Sequence, residues 1–312
     1  MTKLSVQPTV LIFAGQGNPA VGMGTDLWDL NTTTRKIWDC ASDVTGLDLR
    51  RLCQKGPMNR LVKTTTQQAA VTAINVTLYS LYAEQFSDAN VIGSCGHSVG
   101  EYSALYAAGA LTLENVFKLI LARSTIMDDL SNIHKGAMLA VRGADFQMVS
   151  QLINDSGSQV VVSCDNSPYQ QVVGGTLPDL SEFTGRLMGA GLEAIKLGVS
   201  GAWHTPLMSE GVQPMRDALK TVEILRPNHP VLMNITGCEE YNPEKIKENL
   251  SLHLTHRVQW TASMSAFLQH IPSARFVEIS NKAYLGQLLN DFDGFSAEYY
   301  RHCRKLLVAL RG

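Results

Sequence analysis

The chain lacks long apolar runs. No stretch of its 312 residues approaches the roughly 20 apolar residues that a membrane-spanning helix needs. The opening MTKLSVQPTV also lacks the apolar core of a secretory signal peptide. The short apolar segment at 10–13 that follows is better interpreted as a first strand. We therefore expect a cytoplasmic protein that is not a membrane protein.

An excess of charge of one sign is also missing. The chain has 26 Lys and Arg residues against 28 Asp and Glu residues, for a net charge of −2, and no long basic or acidic run. Because nucleic-acid-binding proteins present clustered basic side chains, nucleic acid is not an expected partner.

The six cysteines form no metal-binding pattern. None of them is in a C-x-x-C pair, and no Cys/His cluster has the spacing of a zinc site. We expect reduced thiols, no metal and no cofactor. The cysteines are Cys40, Cys53, Cys95, Cys164, Cys238 and Cys303.

Repeats and low-complexity linkers are absent as well, and what remains is an alternation of short apolar strands with longer helical stretches. This order is typical of α/β proteins. Strands are predicted at 10–13, 89–95, 230–234 and 275–279. Helices are predicted near 33–44, 67–86, 102–110, 113–130 and 260–269.

The middle of the chain has a different pattern. Strands at 136–141, 159–164, 170–173 and 192–197 and helices at 146–154 and 180–190 give the order β-α-β-β-α-β, with a turn at 165–168. This order is that of a ferredoxin-like unit. We predict a large α/β-hydrolase-like domain, residues 1–131 and 200–312, with an inserted ferredoxin-like small subdomain, residues 132–199, as a lid over the catalytic cleft.

The most specific local motif is Gly96-His97-Ser98-Val99-Gly100, a G-x-S-x-G pattern. It lies between a predicted strand and a helix of small residues, which is the context of a nucleophile elbow. Ser98 is therefore the candidate nucleophile, and the backbone N–H of Val99 is a candidate oxyanion donor. The glycine loop around Gln16 is the best source of a second donor.

A serine nucleophile needs a base within hydrogen-bond reach. Among the eight histidines, His204 lies in a Gly- and Pro-bracketed loop where the chain returns from the small subdomain. His97 is next to Ser98, but its side chain should diverge in so tight a turn. A general esterase, which is left open, would need an acid between serine and histidine. Its candidates are Asp128, Asp145 and Asp165, and none of them has a supporting motif.

Several motifs occur together in a fixed order. They are FAGQG at 13–17, GMG at 22–24, GHSVGE at 96–101, GAM at 136–138, NSP at 166–168 and AWHTPLM at 202–208. In these motifs the chain, over roughly residues 10–290, resembles the malonyl-CoA:acyl carrier protein transacylases and the related acyltransferases of polyketide synthases.

The resemblance implies roles for individual residues. Ser98 would carry the acyl ester, and His204 would act as base and then as acid. His204 would be oriented by the backbone carbonyl of His253, where the family commonly has glutamine. The N–H groups of Gln16 and Val99 would form the oxyanion hole. Arg123 would hold the free carboxylate of a malonyl group, and the remaining substrate-binding candidates are His97, Gln68 and Trp203.

The chain also departs from the family pattern. Trp203 replaces the usual phenylalanine, and Glu278-Ile-Ser-Asn-Lys-Ala283 replaces E-x-G-P-G-K. These departures indicate a specialised member. The expected activity is ping-pong transfer of a malonyl group from CoA to the phosphopantetheine thiol of an acyl carrier protein, by a monomeric, free-standing enzyme of polyketide biosynthesis. The alternatives are an acyl hydrolase acting on carrier proteins, a transferase of an unusual acyl group between carrier proteins, and a non-catalytic carrier-binding protein.

Overall fold

A computed structural model describes residues 7–17 and 19–310, apart from the side chain of Ala309. Residues 1–6, which belong to the segment where no signal peptide is expected, lie outside the described residues. The strands, in chain order, are β1 (Thr9–Phe13), β2 (Val91–Gly96), β3 (Gly136–Arg142), β4 (Val161–Ser167), β5 (Gln170–Thr176), β6 (Glu193–Lys196), β7 (Val231–Leu232), β8 (Glu239–Glu240), β9 (Val258–Gln259), β10 (Arg275–Ile279) and β11 (Tyr300–His302). The α-helices are α1 (Thr32–Thr45), α2 (Leu49–Lys55), α3 (Met58–Leu61), α4 (Thr64–Gln85), α5 (Gly100–Ala107), α6 (Leu113–Ile133), α7 (Phe146–Ser156), α8 (Leu177–Gly189), α9 (Val212–Lys220), α10 (Pro243–Leu252), α11 (Trp260–His270), α12 (Leu285–Leu289) and α13 (Cys303–Leu306).

The larger sheet has the strand order β11-β10-β1-β2-β7-β8, with all pairs parallel except β7–β8. Its central strand β1 is buried along its whole length. Leu11 and Phe13 belong to the apolar cluster on one face, and Val10 and Ile12 belong to the cluster on the other. A parallel sheet covered on both faces needs such a continuous apolar strand. This explains why 10–13 shows no polar alternation.

The second sheet has the order β6-β3-β5-β4, with antiparallel pairs, and β9 adds to β4 in parallel. Its own apolar cluster includes residues of α7 and α8. The order and the two helices are those of a ferredoxin-like unit, so the predicted fold class is confirmed. The domain boundaries at 131/132 and 199/200 stay predictions.

The structure corrects the turn predicted at 165–168. Asp165 to Ser167 belong to β4, and the hairpin turn consists of Pro168 and Tyr169. The polar side chains remain in the strand because each has a partner outside the hairpin. Asp165 Oδ1 accepts from Thr261 Oγ1 at 2.6 Å, and Ser167 Oγ donates to Asp291 Oδ2 at 2.5 Å.

Two further elements differ from prediction in length. The helix after the elbow begins at Gly100 and ends at Ala107, because Gly109 takes a φ of +75° that ends the helical run. The strand predicted at 230–234 is the two-residue β7. In the described part of the chain, no helix is both long and apolar enough to cross a membrane.

Candidate active site

Ser98 lies in a sharp turn between β2 and α5, with a φ of +50° that non-glycine residues rarely adopt. Glycines on either side make the turn possible. A Cβ atom at Gly96 would lie 2.0 Å from the Gly100 carbonyl, and one at Gly100 would lie 2.3 Å from Phe13 O. The turn is therefore packed against the end of β1, and its geometry is that of a nucleophile elbow.

Ser98 is hydrogen-bonded to the histidine proposed from the sequence. Ser98 Oγ lies 2.9 Å from His204 Nε2, and His204 Nδ1 lies 2.8 Å from the backbone carbonyl of His253. Because a carbonyl only accepts, the hydrogen belongs on Nδ1, and Nε2 is free to accept the serine proton. No carboxylate in the described chain bonds His204, so the acid that an esterase triad would require is missing from this site.

The electrostatics keep His204 neutral. Burial lowers its pKa to about 3, with the charge of Arg123 as a second cause and the bond to the His253 carbonyl acting in the opposite direction. The imidazole is consequently in its basic form at neutral pH, as a general base must be.

Arg123, on α6, is buried beside the same hydroxyl. Its Nη2 donates to Ser98 Oγ at 3.1 Å, while Nε and Nη1 have no partner among the described residues. A buried guanidinium with unpaired donors is costly in a folded protein unless a ligand supplies the acceptor. The site can therefore receive an anionic group next to the nucleophile.

The two proposed oxyanion donors are both unused. Neither the Gln16 N–H nor the Val99 N–H donates a hydrogen bond within the described chain. The Gln16 side chain is held on both sides, since its Nε2 donates to Gln67 Oε1 at 2.7 Å and its Oε1 accepts from Gln68 Nε2 at 3.2 Å. Gln68 thus contacts Gln16 and fixes the loop that carries one donor.

His97 turns away from Ser98. Its Nε2 lies 2.7 Å from Asn166 Oδ1 on β4, and its ring packs 5.5 Å from that of Trp260. Burial lowers the pKa of His97, with the bond to Asn166 opposing. His97 therefore joins the elbow to the small sheet.

A cavity of about 710 Å³ between the two sheets is lined by Gln16, His97, Ser98, Trp203 and His204. The other candidates, Gln68, Val99, Arg123 and His253, are not among its lining residues. Trp203 is 5% exposed and lies on the cavity wall beside His204. The cavity is also lined by residues 280–284, the segment that departs from the family pattern.

A buried carboxylate organises that segment. Glu278 Oε1 accepts from Ser280 Oγ and from the Tyr284 N–H, both at 2.8 Å. Its Oε2 accepts from the Gly286 N–H at 2.9 Å and from Tyr300 Oη at 2.6 Å. These bonds hold the 280–284 loop without the Gly-Pro-Gly sequence typical of the family.

Two residues that support Ser98 received no role from the sequence. Asn234 Oδ1 accepts the Ser98 N–H at 2.7 Å, and Asn234 Nδ2 donates to Gly96 O at 2.6 Å. The Asn234 N–H donates in turn to Glu101 Oε1 at 2.5 Å. The sequence does contain one indication of this support, because Glu101 is an acidic residue within a helix of small apolar residues. In the structure the Glu101 side chain is 1% exposed.

The described residues contain no group of three or more His, Cys, Asp or Glu side chains that could hold a metal ion. All six cysteines are free. The expectation of no metal and no cofactor stays a prediction.

Residues 10–295 match the model of the family described as "Acyl transferase domain". The chain belongs to this family. It is 32% identical to the malonyl CoA-acyl carrier protein transacylase of Haemophilus influenzae, over 83% of this chain and 84% of that one. It is 30% identical to the polyketide biosynthesis malonyl CoA-acyl carrier protein transacylase PksC of Bacillus subtilis, over 83% and 88%.

A solved structure is similar over almost the whole length. It is a malonyl-transacylase in complex with its type II PKS acyl-carrier protein, with 28% identity, a TM-score of 0.86 and coverage of 95% of this chain and 94% of that one. These comparisons support the resemblance inferred from the motifs.

Proposed function

We propose that this acyltransferase-family chain moves a malonyl group from CoA to the phosphopantetheine thiol of an acyl carrier protein through an ester on Ser98. The observation that carries the proposal is the convergence of His204 Nε2 and Arg123 Nη2 on Ser98 Oγ, at 2.9 and 3.1 Å. One contact supplies the base and the other supplies a cation where a malonyl carboxylate would lie.

In the first half-reaction Ser98 Oγ attacks the thioester carbonyl while its proton passes to His204 Nε2. The developing oxyanion is stabilised by the N–H groups of Gln16 and Val99. When the C–S bond breaks, His204 returns the proton to the CoA thiolate and the malonyl ester remains on Ser98. The His253 carbonyl keeps the imidazole in place through both steps.

The second half-reaction reverses these roles. The carrier-protein thiol gives its proton to His204 Nε2 and its sulfur attacks the ester carbonyl. The ester C–O bond breaks, and Ser98 recovers its hydrogen from His204. Only the thiol changes between the two halves, so one base and one oxyanion hole serve both.

Arg123 accounts for the choice of acyl group. A guanidinium is always charged and can pair with a carboxylate through two parallel N–H donors. Its Nε and Nη1 have no partner in the described chain, and either of them, together with Nη2, could form this two-point pair with a malonyl carboxylate. An acetyl group would leave them unpaired.

The proposal also specifies the partner protein, the cellular compartment and the pathway. The enzyme is a cytoplasmic monomer that acts in trans on an acyl carrier protein or on a carrier domain of a polyketide synthase. No metal and no cofactor of its own takes part, because phosphopantetheine arrives on the partner. The names of PksC and of the carrier-protein complex support polyketide synthesis as the pathway.

Intact-protein mass spectrometry tests the proposal. After mixing with malonyl-CoA, the wild type should gain one malonyl group and lose it on addition of a phosphopantetheinylated carrier protein. Ser98→Ala should gain nothing, and His204→Ala should slow both half-reactions by about 10²–10⁴-fold. A malonyl adduct on another residue would reject the assignment, and rapid loss to water without carrier would favour the hydrolase.

A further inference from the structure

His253 does more than present its backbone carbonyl to His204. Its side chain is fully buried, and the ring centroid lies 5.0 Å from that of His204. His253 Nε2 lies 3.3 Å from Asn234 Oδ1, the atom that accepts the Ser98 N–H. The His253 ring therefore reaches the nucleophile's backbone through one amide.

The amide orientation determines which ring nitrogen carries hydrogen. Asn234 Nδ2 donates to Gly96 O and to Glu101 Oε1, at 2.6 and 3.0 Å, so the opposite amide atom is the oxygen. An amide oxygen can only accept, so His253 Nε2 must donate to it. In a neutral imidazole, Nδ1 then carries no hydrogen and can only accept a hydrogen bond.

His253 Nδ1 faces a carboxyl group. Glu101 Oε2 lies 3.4 Å from it, and Nδ1 has no hydrogen-bond partner among the described residues. The other oxygen, Glu101 Oε1, already accepts two N–H groups of Asn234. Without a hydrogen between Oε2 and Nδ1, two lone pairs would face each other in a site from which water is excluded.

We propose that Glu101 and His253 hold one buried proton between Oε2 and Nδ1, and that this pair is a positioning device for Ser98 and His204. With the hydrogen on Nδ1, a carboxylate and an imidazolium would be buried together, and burying two charges is costly, so we assign the hydrogen to the carboxyl oxygen. Glu101 is then a neutral acid that donates to His253, while its Oε1 accepts from Asn234.

The surroundings agree with a neutral acid. Burial raises the pKa of Glu101 to about 7, with Asn234 and the charge of Arg123 opposing, and burial lowers the pKa of His253 well below its usual range. The titratable groups that act on the pair from neighbouring elements are Cys95, His97, Tyr102, Arg123 and His204. Of these, only Arg123 is charged at neutral pH.

Loss of the shared proton has a mechanical consequence. Ionised Glu101 would face the lone pair of His253 Nδ1, and the ring could escape only by breaking its bond to Asn234. That movement displaces the His253 carbonyl and the Ser98 N–H together. A displacement of about 1 Å at a catalytic group can cost on the order of 10²-fold in rate.

Glu101→Gln tests this assignment, because glutamine keeps an oxygen for Asn234 and places an N–H permanently toward His253. We expect wild-type kcat for acylation of Ser98 to fall about tenfold or more as the pH rises from about 6 to 9, and the variant to lose this fall. A matched control is Glu114→Gln, an exposed carboxyl on α6 that should keep the wild-type profile. The idea fails if Glu101→Gln retains the alkaline fall, or if its activity collapses already at pH 6, as an ionised Glu101 paired with an imidazolium would require.

His253 has its own test. His253→Leu keeps the backbone carbonyl but removes the ring, and should lower kcat by about tenfold or more with little change in KM. His253→Gln should restore much of that loss, since its amide can donate to Asn234 Oδ1. Equal losses in both variants would leave no positioning role for the ring.

An infrared pH-difference spectrum of the wild-type enzyme provides a measurement that no variant's folding can confound. Burial raises the pKa of the Glu101 carboxyl to about 7. A carboxylic-acid C=O band should therefore be present at pH 6 and disappear on titration upward. Its absence at pH 6 would overturn the proposal. The kinetic experiments on the Glu101 and His253 variants rest on the proposed acyltransferase function, whereas the infrared band does not. Failure of the proposed function and failure of the Glu101–His253 pair can therefore be distinguished.

Discussion

Arg123 Nη2 donates a hydrogen bond of 3.1 Å to Ser98 Oγ. The same hydroxyl lies within hydrogen-bond distance of His204 Nε2, its proposed base. A cation on this oxygen favours the alkoxide that forms during attack, and the same guanidinium has donors left for an anionic acyl group. In the proposed mechanism, nucleophile activation and the choice of acyl group are therefore linked through this one side chain.

Replacing Arg123 by alanine should lower malonyl loading from malonyl-CoA about ten- to hundredfold. The reason is that a charge-assisted pair contributes about 1.5–3 kcal/mol. Acetyl loading should stay level or rise. Competition between malonyl-CoA and acetyl-CoA, read by mass, measures the ratio, with exposed Lys118→Ala on the same helix as the control. An unaltered ratio in Arg123→Ala would leave malonyl selection without its proposed cause.

Acylation should remain active at unusually low pH for a histidine-dependent reaction. Burial lowers the pKa of His204 to about 3, so the basic form persists well below the ordinary imidazole value of about 6.5. The acid limb of kcat/KM should lie below about pH 5, provided that circular dichroism shows a folded enzyme. The positive charge of Arg123 also lowers the pKa of His204. In Arg123→Leu the acid limb should therefore move to higher pH but stay below pH 6.5. A wild-type limb near 6.5 would contradict the burial argument.

Trp203→Phe should relax selection against a branched acyl group. The indole lies on the cavity wall next to His204, and phenylalanine would free space where a methyl on the α-carbon must fit. One methyl group in an apolar pocket is worth about 1–3 kcal/mol. The methylmalonyl-to-malonyl loading ratio should rise by about tenfold or more. If the ratio falls or stays constant, the indole does not set this limit.

Gly100→Ala should damage both the fold and the site. The new methyl group would lie 2.3 Å from Phe13 O, and the elbow cannot move away because His97 N also bonds that oxygen at 2.9 Å. We expect a loss of about 1–3 kcal/mol in the free energy of unfolding and little acylation. Gly185→Ala is the matched control, since nothing lies within 4 Å of a Cβ there, and this exposed helical glycine should gain about 0.5–1 kcal/mol. Denaturant titration of both variants gives the comparison.

The elbow at Ser98 could be predicted from local sequence because the constraints on such a turn are local: two glycines, a strand before and a helix after. The ferredoxin-like unit was predictable for a similar reason, since its order of elements is contiguous in the chain. Arg123 and His204 were different. Nothing in the segment of Arg123 separates it from an ordinary helix residue, and it was identified through resemblance to a family. The Gly- and Pro-bracketed loop made His204 a candidate, but its role as the base also came from the resemblance.

The support for Ser98 could not be derived in this way. It joins Glu101, Asn234 and His253, which come from three separate segments and meet only after the large sheet has formed. The turn predicted at 165–168 failed for a related reason. Asp, Asn and Ser favour turns when their side chains must find local partners, and here they bond to distant residues such as His97 and Asp291.

The parallel pairing of β4 with β9 has a consequence for synthesis on the ribosome. A nascent chain that has emerged through residue 199 contains the whole ferredoxin-like unit, but neither His204 nor the strand that extends its sheet. The partners of Asp165 and Ser167, Thr261 and Asp291, are translated later still. The contacts of Asp165 and Ser167 with Thr261 and Asp291 can therefore form only after residue 291 has been made, long after the residues of the small sheet have been translated.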